Sequence, residues 1–217
     1  IKMEYKPNDK ITIGLNLAPN YSIITTPYNG DTGSGGAYQQ ALLMPPIIPV
    51  RRNDGSFAQG ADIPGLRPVG NPLETIQNYK STQDIFRFLG GISLAFEPID
   101  GLVLKTTASA NIGYDSFETI YNAPNDGLLR QSYSNVSSLS LRKTQQIGWL
   151  NENTVNYKKV IGDHAFDILG GFTLQKDQFE ALQSNVDNLQ VQGPTILSLG
   201  DASTLTSSNQ VTESTLV

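Results

Sequence analysis

The chain has 217 residues, 38% of them hydrophobic, with no cysteine, one histidine and a formal net charge of -5. That is little oil for a soluble domain of this size, too acidic for a nucleic-acid surface, and incompatible with disulfides or thiolate metal sites. No run reaches the ~18–20 apolar residues of a membrane helix; the richest, "ALLMPPIIPV", is broken by three prolines.

Taken in chain order, the elements are strands. Residues 1–5 place Ile1, Met3 and Tyr5 on one side, and after the turn "KPNDK" residues 11–21 place Ile11, Ile13, Leu15, Leu17 and Tyr21 opposite Thr12, Gly14, Asn16 and Ala18. The chain begins inside this strand-like pattern rather than in a signal peptide. A long Gly-, Pro- and Asn-rich stretch, 22–83, precedes the next strand at 84–97. Its even positions Phe86, Phe88, Gly90, Ile92, Leu94 and Phe96 alternate with Arg87, Leu89, Gly91, Ser93, Ala95 and Glu97. The turn "EPIDG" leads to a strand at 102–115, with Leu102, Leu104, Ile112 and Tyr114 on the oily side and Lys105, Thr107, Ser109 and Asn111 on the other. A second long stretch, 116–144, leads to a weaker strand at 145–158, where Ile147, Trp149, Val155 and Tyr157 share a side interrupted by Asn151 and Asn153. A strand at 165–177 sets Phe166, Ile168, Phe172 and Leu174 against Asp167, Leu169, Thr173 and Gln175, and 178–217 reads as a third long loop. Period-2 alternation of this kind is the signature of β-strands with one buried and one wet face.

Two features favour a membrane barrel over a soluble sandwich, whose strands alternate in the same way. The strands run about twice the usual 5–6 residues, and a 13-residue strand tilted near 45° rises roughly 30 Å, enough to cross an outer-membrane apolar band of about 25 Å. Short and long connections also alternate strictly, as do the periplasmic turns and extracellular loops of outer-membrane barrels. Aromatics near strand ends (Tyr5, Tyr21, Phe86, Phe96, Tyr114, Tyr157, Phe166) suit interfacial girdles. The expected fold is all-β: about six antiparallel up-and-down strands of a larger transmembrane barrel. Arg87, Lys105, Asn111, Asp167 and Gln175 are expected to face its lumen. The paired "LGG" elements, Leu89-Gly90-Gly91 and Leu169-Gly170-Gly171, are expected to mark a bend, a bulge or a close backbone approach.

Chemistry-bearing motifs are sparse. His164 stands alone in a turn beside Asp163, which builds neither a zinc site nor a catalytic triad. "GDTGSGG" (30–36) lacks the Lys-Thr and helix of a phosphate loop, and Asn29 with Asp31 lacks EF-hand spacing for calcium. "NYS" (20–22) and "NVS" (135–137) match a glycosylation sequon. No catalytic, cofactor-binding or metal residue is assigned, no cofactor is expected, and the chain reads as a non-enzyme.

Several pieces, in order, resemble the middle of a SusC/RagA-type TonB-dependent transporter: "KMEYKPNDKITIGLNLAPNYS", the proline-rich "PPIIPVRRNDGSF" (45–57), "NPLETIQN" (71–78), and "FLGGISLAFEPIDGLVLKTTASANIGYD". The resemblance covers the whole chain. It implies residues 1–217 to be part of one barrel domain of 22 strands with a plugged lumen, in the outer membrane and in contact with its lipid bilayer. It further implies partnership with a SusD-like surface lipoprotein and the TonB complex, and import of a glycan or peptide. The plug domain, TonB box and final aromatic strand of the family are not seen, so the chain is expected to be a piece of a longer protein. The alternatives are a siderophore- or cobalamin-type TonB-dependent receptor and a soluble all-β binding or adhesion module.

Overall fold

A computed structural model describes residues 1–27, 36–123, 136–191 and 193–216. Seven antiparallel strands lie side by side in chain order in a single sheet: β1 (Lys2–Asn8), β2 (Ile11–Thr26), β3 (Tyr79–Ile99), β4 (Leu102–Tyr121), β5 (Ser138–Ile161), β6 (His164–Asp187) and β7 (Thr206–Leu216). Two-residue turns at 9–10, 100–101 and 162–163 join alternate pairs at one end of the sheet. The connections 27–78, 122–137 and 188–205 leave from the other end. Two short helices, α1 (Ala37–Leu43) and α2 (Pro72–Asn78), lie in the first of these.

The strands outrun the sequence pattern. β3 to β6 hold 21, 20, 24 and 24 residues, and β7 occupies part of the stretch read as loop 178–217, so the strand count is seven rather than six. The physical reason is that alternation marks only the portion of a strand with one oily face. "TSSNQVTESTL" is polar on both faces apart from Val211 and Leu216 and is held to β6 by its backbone ladder, from Asn185↔Thr206 to Gln175↔Leu216; a strand without one oily face carries no period-2 signal.

Register sorts the residues onto two faces, because paired residues in an antiparallel ladder point the same way. One face is apolar: Leu15, Ile92 and Ala108 form one lateral row, and Ile13, Leu94 and Thr106 form another. Tyr21, Phe86 and Tyr114 are register partners across β2, β3 and β4, and the last two rings stack with centroids 6.2 Å apart. The opposite face carries all five polar residues expected there, Arg87, Lys105, Asn111, Asp167 and Gln175. Asn151 and Asn153, which interrupt the apolar face of β5, are hydrogen-bonded in series: Asn153 Nδ2 donates along the strand to Asn151 Oδ1 at 2.6 Å, and Asn151 Nδ2 donates across to the Thr107 carbonyl of β4 at 3.2 Å.

The ladder runs through both "LGG" elements without a register shift, so neither is a bulge; a Cβ on Gly90 would stand 2.6 Å from the Phe88 ring and one on Gly171 2.7 Å from the Asn153 carbonyl. Shifts occur beside the turns instead, between Tyr5 and Asn8 and between Phe96 and Ile99. At the second of these turns Gly101 has φ +83°, its N–H donates to Glu97 Oε1 at 3.0 Å and its carbonyl accepts from Lys158 N–H at 2.8 Å. A Cβ there would collide with the Lys158 carbonyl.

Buried side chains gather at the long-loop end. Ile120, Leu139 and Val186, one lateral row of β4, β5 and β6, pack under Leu189 of the 188–205 connection. Ala37, Ile48, Ala58 and Val69 form the apolar part of the first loop. No second sheet covers either face among the described residues, whereas a soluble sandwich buries one face of each sheet against the other. Leu15, Ile92, Leu94 and Phe96 therefore lie on an open apolar surface; Ile92 is 53% exposed.

Candidate functional site: the polar face near the long loops

The polar face is furnished most densely where β3 to β6 approach the long loops. Arg87 sits opposite Gly113 in the register, and the missing side chain leaves room for the guanidinium: a Cβ on Gly113 would lie 2.6 Å from Arg87 Nη1. Lying across that glycine, Arg87 donates from Nη2 to Asp115 Oδ2 at 2.8 Å, and Thr144 Oγ1 donates to the same oxygen at 3.3 Å. The other carboxylate oxygen, Oδ1, is buried without a partner among the described residues.

Beside this pair, Gln83, Asp115, Phe117, Arg142, Thr144 and Phe179 enclose a cavity of about 350 Å³. Phe117 and Arg142 are direct cross-strand partners on β4 and β5. Arg87, outside the lining, pairs with Asp115, and the exposed Arg142 guanidinium forms no ion pair among the described residues, so it is the cation the cavity presents. Two phenyl rings, that guanidinium and an amide can hold an apolar side chain beside a carboxylate, the arrangement of ligand pockets that are apolar in bulk and specific through a few polar groups.

Residues 36–78 of the first long loop, beside this end of the sheet, are bound together by side-chain hydrogen bonds. Asn71 caps α2, its Oδ1 accepting from Leu73 N–H at 3.0 Å and Glu74 N–H at 3.5 Å, while its Nδ2 donates to the carbonyls of Val50 and Ala58 at 2.9 Å each. Thr75 Oγ1 donates to Gln40 Oε1 at 2.7 Å, joining α2 to α1. Arg52 makes a two-pronged bond to Asp62, both contacts 2.7 Å, and the Arg51 guanidinium lies 4.1 Å over the Phe57 ring. Asp54 accepts from the Ser56 hydroxyl at 2.6 Å and the Ser56 N–H at 2.9 Å; these bonds hold its carboxyl below the usual value.

Of the residues lining this cavity only Asp115 falls within the strand ranges 84–97, 102–115, 145–158 and 165–177; Gln83, Phe117, Arg142, Thr144 and Phe179 lie just beyond them. The signal that reaches them is the continued alternation of "RKTQQ" into Ile147, with Arg142, Thr144 and Gln146 on one side. His164 opens β6 at the exposed turn, and no group of three or more His, Asp or Glu gathers among the described residues. Asn29, Asp31, most of the glycine-rich 30–36 stretch and Asn135 lie outside the described residues. No helix among them is long and apolar enough to cross a membrane, which leaves crossing by strands open.

No family model matches the chain. It is 28% identical over 185 residues to TonB-dependent receptor P26 of Formosa agariphila, covering 84% of this chain and 18% of that protein. It is 27% identical over 219 residues to TonB-dependent receptor P3 of the same organism, covering 96% of this chain and 21% of the relative. The chain thus spans about a fifth of the length of these curated relatives. Among solved structures, the RagAB peptide transporter superposes over 98% of this chain and 24% of its own with a TM-score of 0.73 at 19% identity. That likeness is one of fold: an antiparallel, up-and-down stretch of barrel wall.

Proposed function

We propose that this chain, a wall segment of a TonB-dependent transporter barrel, serves outer-membrane import of oligosaccharides or peptides, lining the lumen with its polar face and the cell exterior with its long loops. A SusD-like surface lipoprotein covers the long-loop end, and TonB supplies the energy through parts of the protein outside this segment. The observation that carries the reading is the single sheet with one oily face crossed by an aromatic row, one polar face with a charged cavity, and long connections at one end only. A soluble binding module needs a second layer over the oily face.

Between the two substrate classes, the cavity around Arg142 favours peptides bearing a free carboxylate. The Arg142 guanidinium attracts the carboxylate and the Phe117 and Phe179 rings accept an apolar side chain. The RagAB protein of similar fold is itself described as a peptide transporter. The test is uptake of labelled acidic peptides, neutral peptides and neutral oligosaccharides by cells carrying the intact protein, with and without an uncoupler. Uptake of the acidic peptides that stops with the uncoupler is expected. Uptake that is unchanged by deleting the protein overturns the transport reading, and a preference for oligosaccharides overturns the peptide assignment.

The segment contains no cysteine, which permits an independent check of its placement. Single cysteines at successive positions from 88 to 94 should react with a membrane-impermeant maleimide at odd positions and resist it at even ones. Uniform reactivity would remove the bilayer from the picture.

A further inference from the structure

The largest cavity described lies on the apolar face, outside the lumen. Its floor is the row Tyr21, Phe86, Tyr114, Gln145 and Glu180, five register partners on five successive strands. Its upper edge is the next row toward the long loops, which includes Asp84, Ser116, Lys143 and Leu182. With Asp115 and Thr144 they bound about 490 Å³. The character of the face changes here: below the row come Phe88, Ile112 and Ile147 with Gln178, and in the row above it Asp84, Ser116 and Lys143 stand among Ile23 and Leu182.

Two properties narrow the ligand. Three aromatic side chains stand in one row, Phe86 and Tyr114 stacked at 6.2 Å, and the polar groups around them are unspent: Asp84, Lys143, Gln145 and Glu180 form no ion pair or side-chain hydrogen bond among the described residues. Such a row offers aromatic surface to the C–H groups of a pyranose ring, while carboxylates, an amide and an ammonium accept from and donate to its hydroxyls. Charge excludes the obvious competitor. Asp84 and Glu180 against Lys143 leave one net negative charge, so a phosphate meets repulsion, whereas a neutral or amino sugar does not.

Position identifies the source. Aromatic rows of a membrane barrel sit at the interface, with lipid headgroups beginning just beyond them. We infer that this outward-facing cavity binds the saccharide headgroup of an outer-leaflet glycolipid, tethering the barrel wall to the membrane's carbohydrate layer. The inference rests on the bilayer placement proposed above.

The intact protein is reconstituted into phosphatidylethanolamine vesicles with and without rough lipopolysaccharide. Flotation of the vesicles first confirms insertion, and native mass spectrometry then counts bound glycolipid. Failure to float sinks the membrane reading itself, separately from the site. With insertion established, the expected result is retained glycolipid that falls at least about tenfold in Asp84→Asn/Glu180→Gln, the loss of hydrogen bonds to charged groups, and in Tyr114→Ala. Tyr157→Ala, at the opposite end of the oily face, should bind as the parent does. The two carboxylate substitutions are isosteric and lie at the surface, so folding is preserved. Equal retention by parent and variants overturns the site. So does binding that disappears when the lipopolysaccharide is dephosphorylated, since phosphate is then the group recognised. Equally tight binding of the free core oligosaccharide, without acyl chains, overturns the lipid source.

Discussion

Replacing Ile92 by Arg isolates the membrane's contribution to the fold. Ile92 lies in β3 between register partners Leu15 and Ala108 on the oily face. At about 3.3 Å per residue and a tilt near 40°, the stretch from Phe86 to Phe96 covers roughly 25 Å of membrane height, with Ile92 about 10 Å from one end and 15 Å from the other. An arginine near the midplane costs about 2–4 kcal/mol, a roughly 30- to 900-fold fall in the folding constant. The comparison is the same residue introduced one position over and on the other face. Thr107→Arg, whose partners are Ser93 and Glu152, places the charge in a polar setting beside a carboxylate and should change stability by no more than about 0.5 kcal/mol. Urea unfolding of the intact protein in lipid vesicles reads both. If the two variants shift the midpoint equally, the assignment of the oily face to lipid is wrong.

Other outcomes follow from the loops, the turns and the cavity. Asn71→Ala removes a helix cap and two carbonyl partners, about 2–4 kcal/mol of local stability, so amide exchange should rise across 36–78 and stay unchanged in β3 to β6. Gly101→Ala forces a side chain into a positive-φ position against the Lys158 carbonyl and should destabilise the intact protein by more than about 1–2 kcal/mol, read by the same unfolding assay. Arg142→Gln should leave unfolding within about 0.5 kcal/mol of the parent and lower uptake of acidic peptides about tenfold while sparing neutral ones. In the first loop, the Asp54 carboxylate that accepts from Ser56 has its value lowered, so its stabilisation of the turn is complete above about pH 4, the unfolded value, and is lost as pH falls through the lower folded one. The Ser56 amide should therefore begin to exchange faster only in acid below that point, and Asp54→Asn should abolish the acid dependence.

How much of this was readable in advance depended on which solvent each residue meets. Tyr21, Phe86 and Tyr114 stood out as strand-end aromatics because the apolar face of β2 to β4 alternates strictly up to that row. Past that row the constraint lapses, and Thr206–Leu216 and the upper parts of β3 to β6 carry no such pattern although their ladders are unbroken. The loop interiors were illegible for a different reason. Gln40, Asn71 and Thr75 are buried, and no hydrophobic periodicity reports a core assembled from side-chain hydrogen bonds. The partnership of Phe117 with Arg142 depends on register carried across the 122–137 connection, which local patterning does not fix.

The first long loop leaves the sheet after Thr26 and returns at Tyr79, and the two feet are neighbours, Thr26 pairing with Ser81. Such feet stand about 4.8 Å apart, and the Asn71 cap, the Gln40–Thr75 bond and the Arg52–Asp62 clamp all lie between them. An insert with adjacent feet and bonds of its own can change in length and sequence while the ladder beneath it keeps its register.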